Sequence, residues 1–190
     1  MNAQFISDND RTELLELARK SIEMASRGKK LPSVDLKRYS VTLQNDGASF
    51  VTLTVNGALR GCIGALEAYQ PLVLDVVEHA AAAAVDDFRF HPVQPEEVSS
   101  ISIEISVLTK PERLNYSGPD DLLEKLQPGR DGVILKDGRM RATFLPQVWE
   151  QLPDKQEFLS HLCSKMGATS GIWKIKNLEV FTYQVEEFHE

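Results

Sequence analysis

The sequence predicts an α+β protein: an antiparallel sheet built from hairpins, with helices packed against it. Two observations carry this. Runs of β-branched and aromatic residues flank the turn dipeptides Asn56-Gly57 and Asp137-Gly138, which marks two hairpins. Before, between and after them, apolar residues recur at helical spacing around residues 14–22, 72–83 and 158–163. Hairpin-joined strands mixed with helices point away from alternating parallel units.

In chain order, Ser7-Asp8-Asn9-Asp10 offers N-cap residues to a helix whose inner face is Leu14, Leu17, Ala18 and Ile22, with Gly28 placed to stop it. Residues 29–46 mix Pro32, isolated apolar side chains and Asp46-Gly47. They read as an irregular covering loop with at most a short helical turn. Residues 49–55 form a strand, Asn56-Gly57 a two-residue turn, and residues 58–64 the return strand. Gln70-Pro71 opens a second helix with inner stripe Leu72, Val76, His79, Ala80 and Ala83. The alanines at 80–84 allow a close approach to its neighbour. Residues 86–93 form a turn-rich link. Residues 100–108 alternate, with Ile101, Ile103, Ile105 and Val107 on one side and Ser102, Glu104 and Ser106 on the other.

Further on, residues 120–126 read as a short helix and Pro128-Gly129-Arg130-Asp131-Gly132 as a compact turn. That turn lacks the spacing and the lysine–hydroxyl pair of a phosphate-binding loop. Residues 133–136 and 140–145 flank Asp137-Gly138. A helical segment follows Pro146, Pro153-Asp154 caps a helix over 155–166, and Gly167 ends it. Residues 172–175 read as extended and 179–188 as one final strand.

Composition narrows the function classes. The 190 residues suffice to bury a core without staples. A formal net charge of −7 argues against a general nucleic-acid binder. The longest apolar run, residues 80–85, is too short to span a bilayer. The opening Met1-Asn2-Ala3-Gln4-Phe5 has no basic or apolar leader character, and Cys62 and Cys163 read as free thiols, so the expected location is cytoplasmic. His79, His91, His161 and His189 show no zinc spacing, the cysteines form no CxxC, and no dinucleotide-binding glycine motif is present. No metal site and no cofactor are expected.

The most unusual chemistry lies at Arg60-Gly61-Cys62-Ile63-Gly64. With a plain two-residue turn, Leu53 pairs with Arg60 and Val51 with Cys62. Arg60 and Cys62 then lie beside Val51 and Leu53, and Phe50, Leu59 and Ile63 point the other way. A bulge at Gly61 would exchange these faces. Gly61 and Gly64 suit such a bulge, or the close approach of a backbone or ligand. An arginine on a covered face needs an acidic partner or an anionic ligand, and Glu104 is the natural partner if its strand is adjacent. A guanidinium near a thiol favours the thiolate, which is a route to a reactive Cys62; the plain alternative is a small packed residue. His79 is a general-base candidate, or else simply packed. Arg89 and His91 stand at the rim of a cleft, or else flank an aromatic plug. Cys163, on an apolar helical stripe, reads as core.

Leu59-Arg60-Gly61-Cys62-Ile63-Gly64 resembles the signature hexapeptide of the AMMECR domain family, the first component of the AmmeMemoRadiSam system of prokaryotes. The resemblance continues through residues 48–53, 103–108, 144–149 and 157–159. One departure stands out: where the family reads Asp-Pro-Arg-Phe, this chain has Asp87-Phe88-Arg89-Phe90. The resemblance implies a single domain over residues 1–190, with two unequal lobes sharing a cleft. It carries no settled activity. It does imply company: a Memo-type protein, related to extradiol dioxygenases, and a radical-SAM enzyme.

Three functions follow from these residues. The chain is a small-molecule-binding or accessory protein whose pocket wall includes Arg60, Gly61, Gly64, Arg89, His91 and Glu104. Alternatively it is an enzyme with Cys62 as nucleophile, Arg60 beside it, and His79 or His91 as base. Or it is a structural or interaction protein in which the hexapeptide only packs.

Overall fold

The computed structural model describes residues 5–190, so the leader reading at residues 1–4 lies outside it. Helix α1 is Asp8–Ser26, capped by Ser7, whose side chain accepts from the Asp10 N–H; Gly28, at φ 62°, follows its end. Two short turns, a 3₁₀ turn at Leu36–Arg38 and α2 at Val41–Gln44, occupy the covering loop. Then come β1 (Asp46–Val55), β2 (Ala58–Gly64), a two-residue β3 (Gln70–Pro71), α3 (Leu72–Val85), β4 (Ile101–Leu108) and a short β5 (Glu112–Arg113). The remainder is α4 (Pro119–Lys125), β6 (Gly132–Asp137), β7 (Met140–Phe144), α5 (Lys155–Lys165), α6 (Ile172–Ile175), β8 (Glu179–Tyr183) and β9 (Val185–His189). The mixture of helices with antiparallel sheets is α+β, as expected. No helix among the described residues is long and apolar enough to cross a membrane.

Two compact units divide the chain. One takes it up to Leu108 and again over Glu186–Glu190; the other is Thr109–Val185. In the first, the sheet order is β2-β1-β4-β9, with β3 also paired to β1. Helices α1 and α3 pack together on the face that presents Val51, Leu53, Ile101, Ile103, Ile105 and Val107. Each such aliphatic side chain contributes about 1.5–3 kcal/mol on full burial. In the second unit the order is β5-β8-β6-β7. Its core gathers Val133, Leu135, Phe158, Leu162, Cys163 and Trp173, and Trp149 stacks on Phe158 with ring centroids 3.6 Å apart. Cys163 is buried there, and burial pushes its thiol pKa up.

Several local readings need correction. Pro71 precedes α3 rather than opening it, because Gln70 and Pro71 first pair with Gly47 and Asp46. The second hairpin turns at Gly138-Arg139, since Asp137 already pairs with Met140. Residues 172–175 form a helical turn over the core instead of an extended piece, burying Trp173. The final alternating run breaks at Gln184 into β8 and β9, one in each sheet. Alternation is identical on both sides of such a break, so periodicity cannot reveal it.

The most consequential difference is in the first hairpin. Val55 pairs with Ala58 and Thr54 with Leu59, but Leu53 pairs with Gly61, so Arg60 is the extra residue of a bulge. Cys62 therefore pairs with Thr52, not Val51. Asn56 (φ 51°) and Gly57 (φ 77°) supply the turn as expected. The bulge brings Gly61 under α3, where an added Cβ would overlap the Ala83 carbonyl oxygen. Glycine and the alanine run are one packing solution. Gly61→Ala is expected to lower stability in urea by about 2 kcal/mol, within the range for overpacking. An unchanged midpoint would show that α3 does not lie on this residue.

Candidate functional site

Because Gly61 faces α3, Cys62 points to the opposite face of the sheet, with Thr52. The Thr52 hydroxyl donates to the Cys62 sulfur at 3.4 Å. Across β1 from Cys62 lies Glu104, which pairs with Thr52 on its other side. Glu104 is half-buried; burial raises its pKa, with the neighbouring Glu187 adding to the shift and His189 opposing it. Gly64 shares the Cys62 face, where its missing side chain makes room for the Phe50 ring.

Strand β2 is an edge, and its outward backbone groups at Cys62 are held by side chains from the link after α3. Asp87 Oδ2 accepts the Cys62 N–H at 2.9 Å. The Arg89 guanidinium donates to the Cys62 carbonyl at 3.2 Å and to Asp87 through Nε (2.9 Å) and Nη2 (2.6 Å). Asp87 is buried, and the Arg89 guanidinium with these backbone N–H groups holds its carboxyl well below the usual carboxylate range. Arg89 is held above its ordinary value, by Asp87 first and by Cys62 further. The guanidinium close to the thiol is thus that of Arg89.

Arg60, re-aimed by the bulge, is bidentate to Glu97, with Nε–Oε1 and Nη2–Oε2 both 3.1 Å. This replaces the expected partner Glu104, which stays in the row with Thr52. Arg60 lowers the pKa of Glu97, and the Gln94 N–H adds to the effect. Arg60 Nη1 is buried without a hydrogen-bond partner.

Arg60, Glu97 and the link enclose a cleft of about 540 Å³, to which Phe88, Arg89, Phe90 and His91 also contribute. The structure therefore brings Arg60, Arg89 and His91 together. Cys62, Gly61, Gly64 and Glu104 do not line this cleft, although Arg89 and Asp87 tie the Cys62 backbone to its wall. His79 lies elsewhere. It is buried on α3, its Nδ1 3.1 Å from Asp75 Oδ2, which also accepts the Ser49 hydroxyl at 2.6 Å. Ser49 belongs to the helix-covered face, so no imidazole from α3 reaches the Cys62 sulfur. Among the described residues, no group of three or more His, Cys, Asp or Glu is placed to hold a metal ion.

Sequence reasoning missed Asp87, Glu97 and Thr52 as site residues. The need of Arg60 for an acid was legible, but Glu96, Glu97 and Glu104 all qualify on composition. Thr52 became a neighbour of Cys62 only through the bulge.

An α+β fold with a glycine-flanked edge strand clamped beside an arginine-bearing cleft defines the class, and comparison with known proteins gives the family. The AMMECR1 family model matches residues 15–188, and the chain belongs to that family. A protein of Methanothermobacter thermautotrophicus is 39% identical, covering 96% of this chain and 95% of its own. Protein MJ0810 of Methanocaldococcus jannaschii is 36% identical over 94% of this chain and 89% of its own. The crystal structure of the uncharacterised protein PH0010 from Pyrococcus horikoshii is similar with a TM-score of 0.82 and 35% identity, covering 97% of this chain and 93% of that one.

The clamp makes a pH-dependent prediction. A depressed carboxyl pKa contributes stability above the unfolded value of about 3.9, lost as pH falls through the folded value. Asp87→Asn is expected to lower the melting temperature at pH 7, with a gap that holds down to about pH 4 and narrows below it. A gap independent of pH from 7 to 3 would contradict the ion-pair origin.

Proposed function

We propose that the protein binds a small anionic ligand in the cleft formed by Arg60, Arg89 and His91. The observation that supports this is the convergence of those three donors beside Phe88, which is 94% exposed on the rim. Both guanidiniums already face a carboxylate, so what they offer a ligand is directed N–H donors more than net charge. A carboxylate or phosphate with an attached apolar group uses both parts of the cleft. By its family association the protein acts as an accessory to Memo-type and radical-SAM proteins, holding a small molecule for them in the cytoplasm.

Phenyl phosphate and inorganic phosphate, titrated by calorimetry, test the binding. Phenyl phosphate is expected to bind more tightly, and Phe88→Ala to weaken it about tenfold, the equivalent of 1.4 kcal/mol, at unchanged melting temperature. Absence of binding by either probe, or indifference to Phe88→Ala, would leave only a packing role for this region.

The Thr52–Cys62 hydrogen bond and the nearby Arg89 favour a second reading, in which Cys62 is a nucleophile. Among the described residues the hydrogen-bond partner of its sulfur is Thr52 rather than an imidazole, which places this reading behind the first. Retention of ligand binding and cellular function by Cys62→Ser is expected. Loss of function with the fold intact, together with a substrate-derived mass on Cys62, would reverse the order.

A further inference from the structure

The unit Thr109–Val185 has a cavity of its own, of about 310 Å³, that the cleft reading does not use. Thr109, Lys110, Glu112, Asp131 and Thr182 line it. Asp131 is the unusual member. It is only 8% exposed, and Oδ2 accepts the Gln127 N–H at 2.9 Å, fixing the turn at residues 127–131. Among the described residues its other oxygen takes no hydrogen bond and no cation is paired with it. The adjacent Arg130 is committed elsewhere, through Nη1 to Gln127 Oε1 and through Nε and Nη2 to Gln184 Oε1, each at 2.8 Å. Burial pushes the Asp131 carboxyl up, against the Gln127 N–H and the charges of Arg130 and Lys155.

Lys110, exposed on the same cavity, also forms no ion pair among the described residues. A nearly buried carboxylate and an ammonium thus share one small polar cavity without meeting. A carboxylate in that position calls for a cation, and the lysine for an anion. We propose that this cavity binds a small zwitterion of the amino-acid class, its ammonium group on Asp131 and its carboxylate on Lys110. Glu112 adds negative charge favouring the ammonium end, and the hydroxyls of Thr109 and Thr182 supply further polar wall. The volume matches a ligand at the small end of the usual range.

The test is titration of the full chain with glycine, methylamine and acetate, followed by amide chemical shifts. Glycine is expected to bind best, with saturable shifts confined to residues around 109–112 and 127–132. Asp131→Asn keeps a carbonyl oxygen for the Gln127 N–H, so the turn survives, and glycine affinity should fall at least tenfold. Lys110→Ala, at an exposed residue, should weaken glycine several-fold and leave methylamine unchanged; it serves as the independent variant should the Asn protein not fold. Glycine affinity should also fall as acid protonates Asp131. The proposal is overturned if glycine gives no saturable shift at these residues, if folded Asp131→Asn binds it equally well, or if Lys110→Ala leaves it unaffected.

Discussion

The architecture of the first unit turns on one extra residue in an edge strand. At Arg60, β2 carries two residues against one of β1, and everything beyond it changes face. That single insertion puts Gly61 against the α3 backbone and sends Cys62 to the opposite side of the sheet. It also re-aims the Arg60 side chain to Glu97 and the cleft. Glycine is the residue the position requires, because any Cβ would displace the helix. The hexapeptide is therefore first a packing device, and the site inherits its geometry from the packing.

The bulge has a second consequence at the sheet edge. In the pair Cys62–Thr52, both backbone groups of Cys62 point away from β1, which brings the two side chains close, as in the non-hydrogen-bonded pairs of antiparallel ladders. An open edge with free N–H and C=O groups invites pairing with another chain. Asp87 and Arg89 occupy those groups instead. The same two residues fix the turn at Asp87-Phe88-Arg89-Phe90, which has no proline. Asp87 accepts the Arg89 N–H through its side chain and the Phe90 N–H through its carbonyl, so hydrogen bonds fix a turn that proline would fix by its ring. Structure and site are thereby coupled: the residues that close the edge also hold Arg89 at the cleft.

Much of this was legible in the chain. The Asn56-Gly57 turn, the helix stripes and the alternating strand at residues 101–108 follow from local chemistry, and each was read correctly. Arg89 or His91 was expected at the rim of a cleft beside Cys62; both line a cavity with Arg60, and Cys62 is not among its lining residues. The partner of Arg60 was misread because residues 97 and 104 are equally acidic and only the three-dimensional path of the link decides between them. The face of Cys62 was left to depend on whether the hairpin carries a bulge at Gly61; the glycines hinted at one, and the structure has it at Arg60, which reverses the face a plain two-residue turn gives. The break between β8 and β9 was hidden because alternation is identical on both sides of it. Neither Asp87 nor Asp131 was given a role of its own, since a buried carboxylate looks like a surface one until its surroundings are known.

Cross-strand disulfide trapping measures the register of the first hairpin, on which the geometry of the site depends. In a Cys163→Ala background, Thr52→Cys places a second thiol opposite Cys62, at the short Cα separation a disulfide accepts. Val51→Cys places it where a hairpin without the bulge would pair. Mild oxidation is expected to close an intramolecular bond in the Thr52→Cys protein and to leave the Val51→Cys protein with two free thiols. Closure at residue 51 in preference to 52 would mean that Cys62 faces the helices, and the geometry of the site would have to be redrawn.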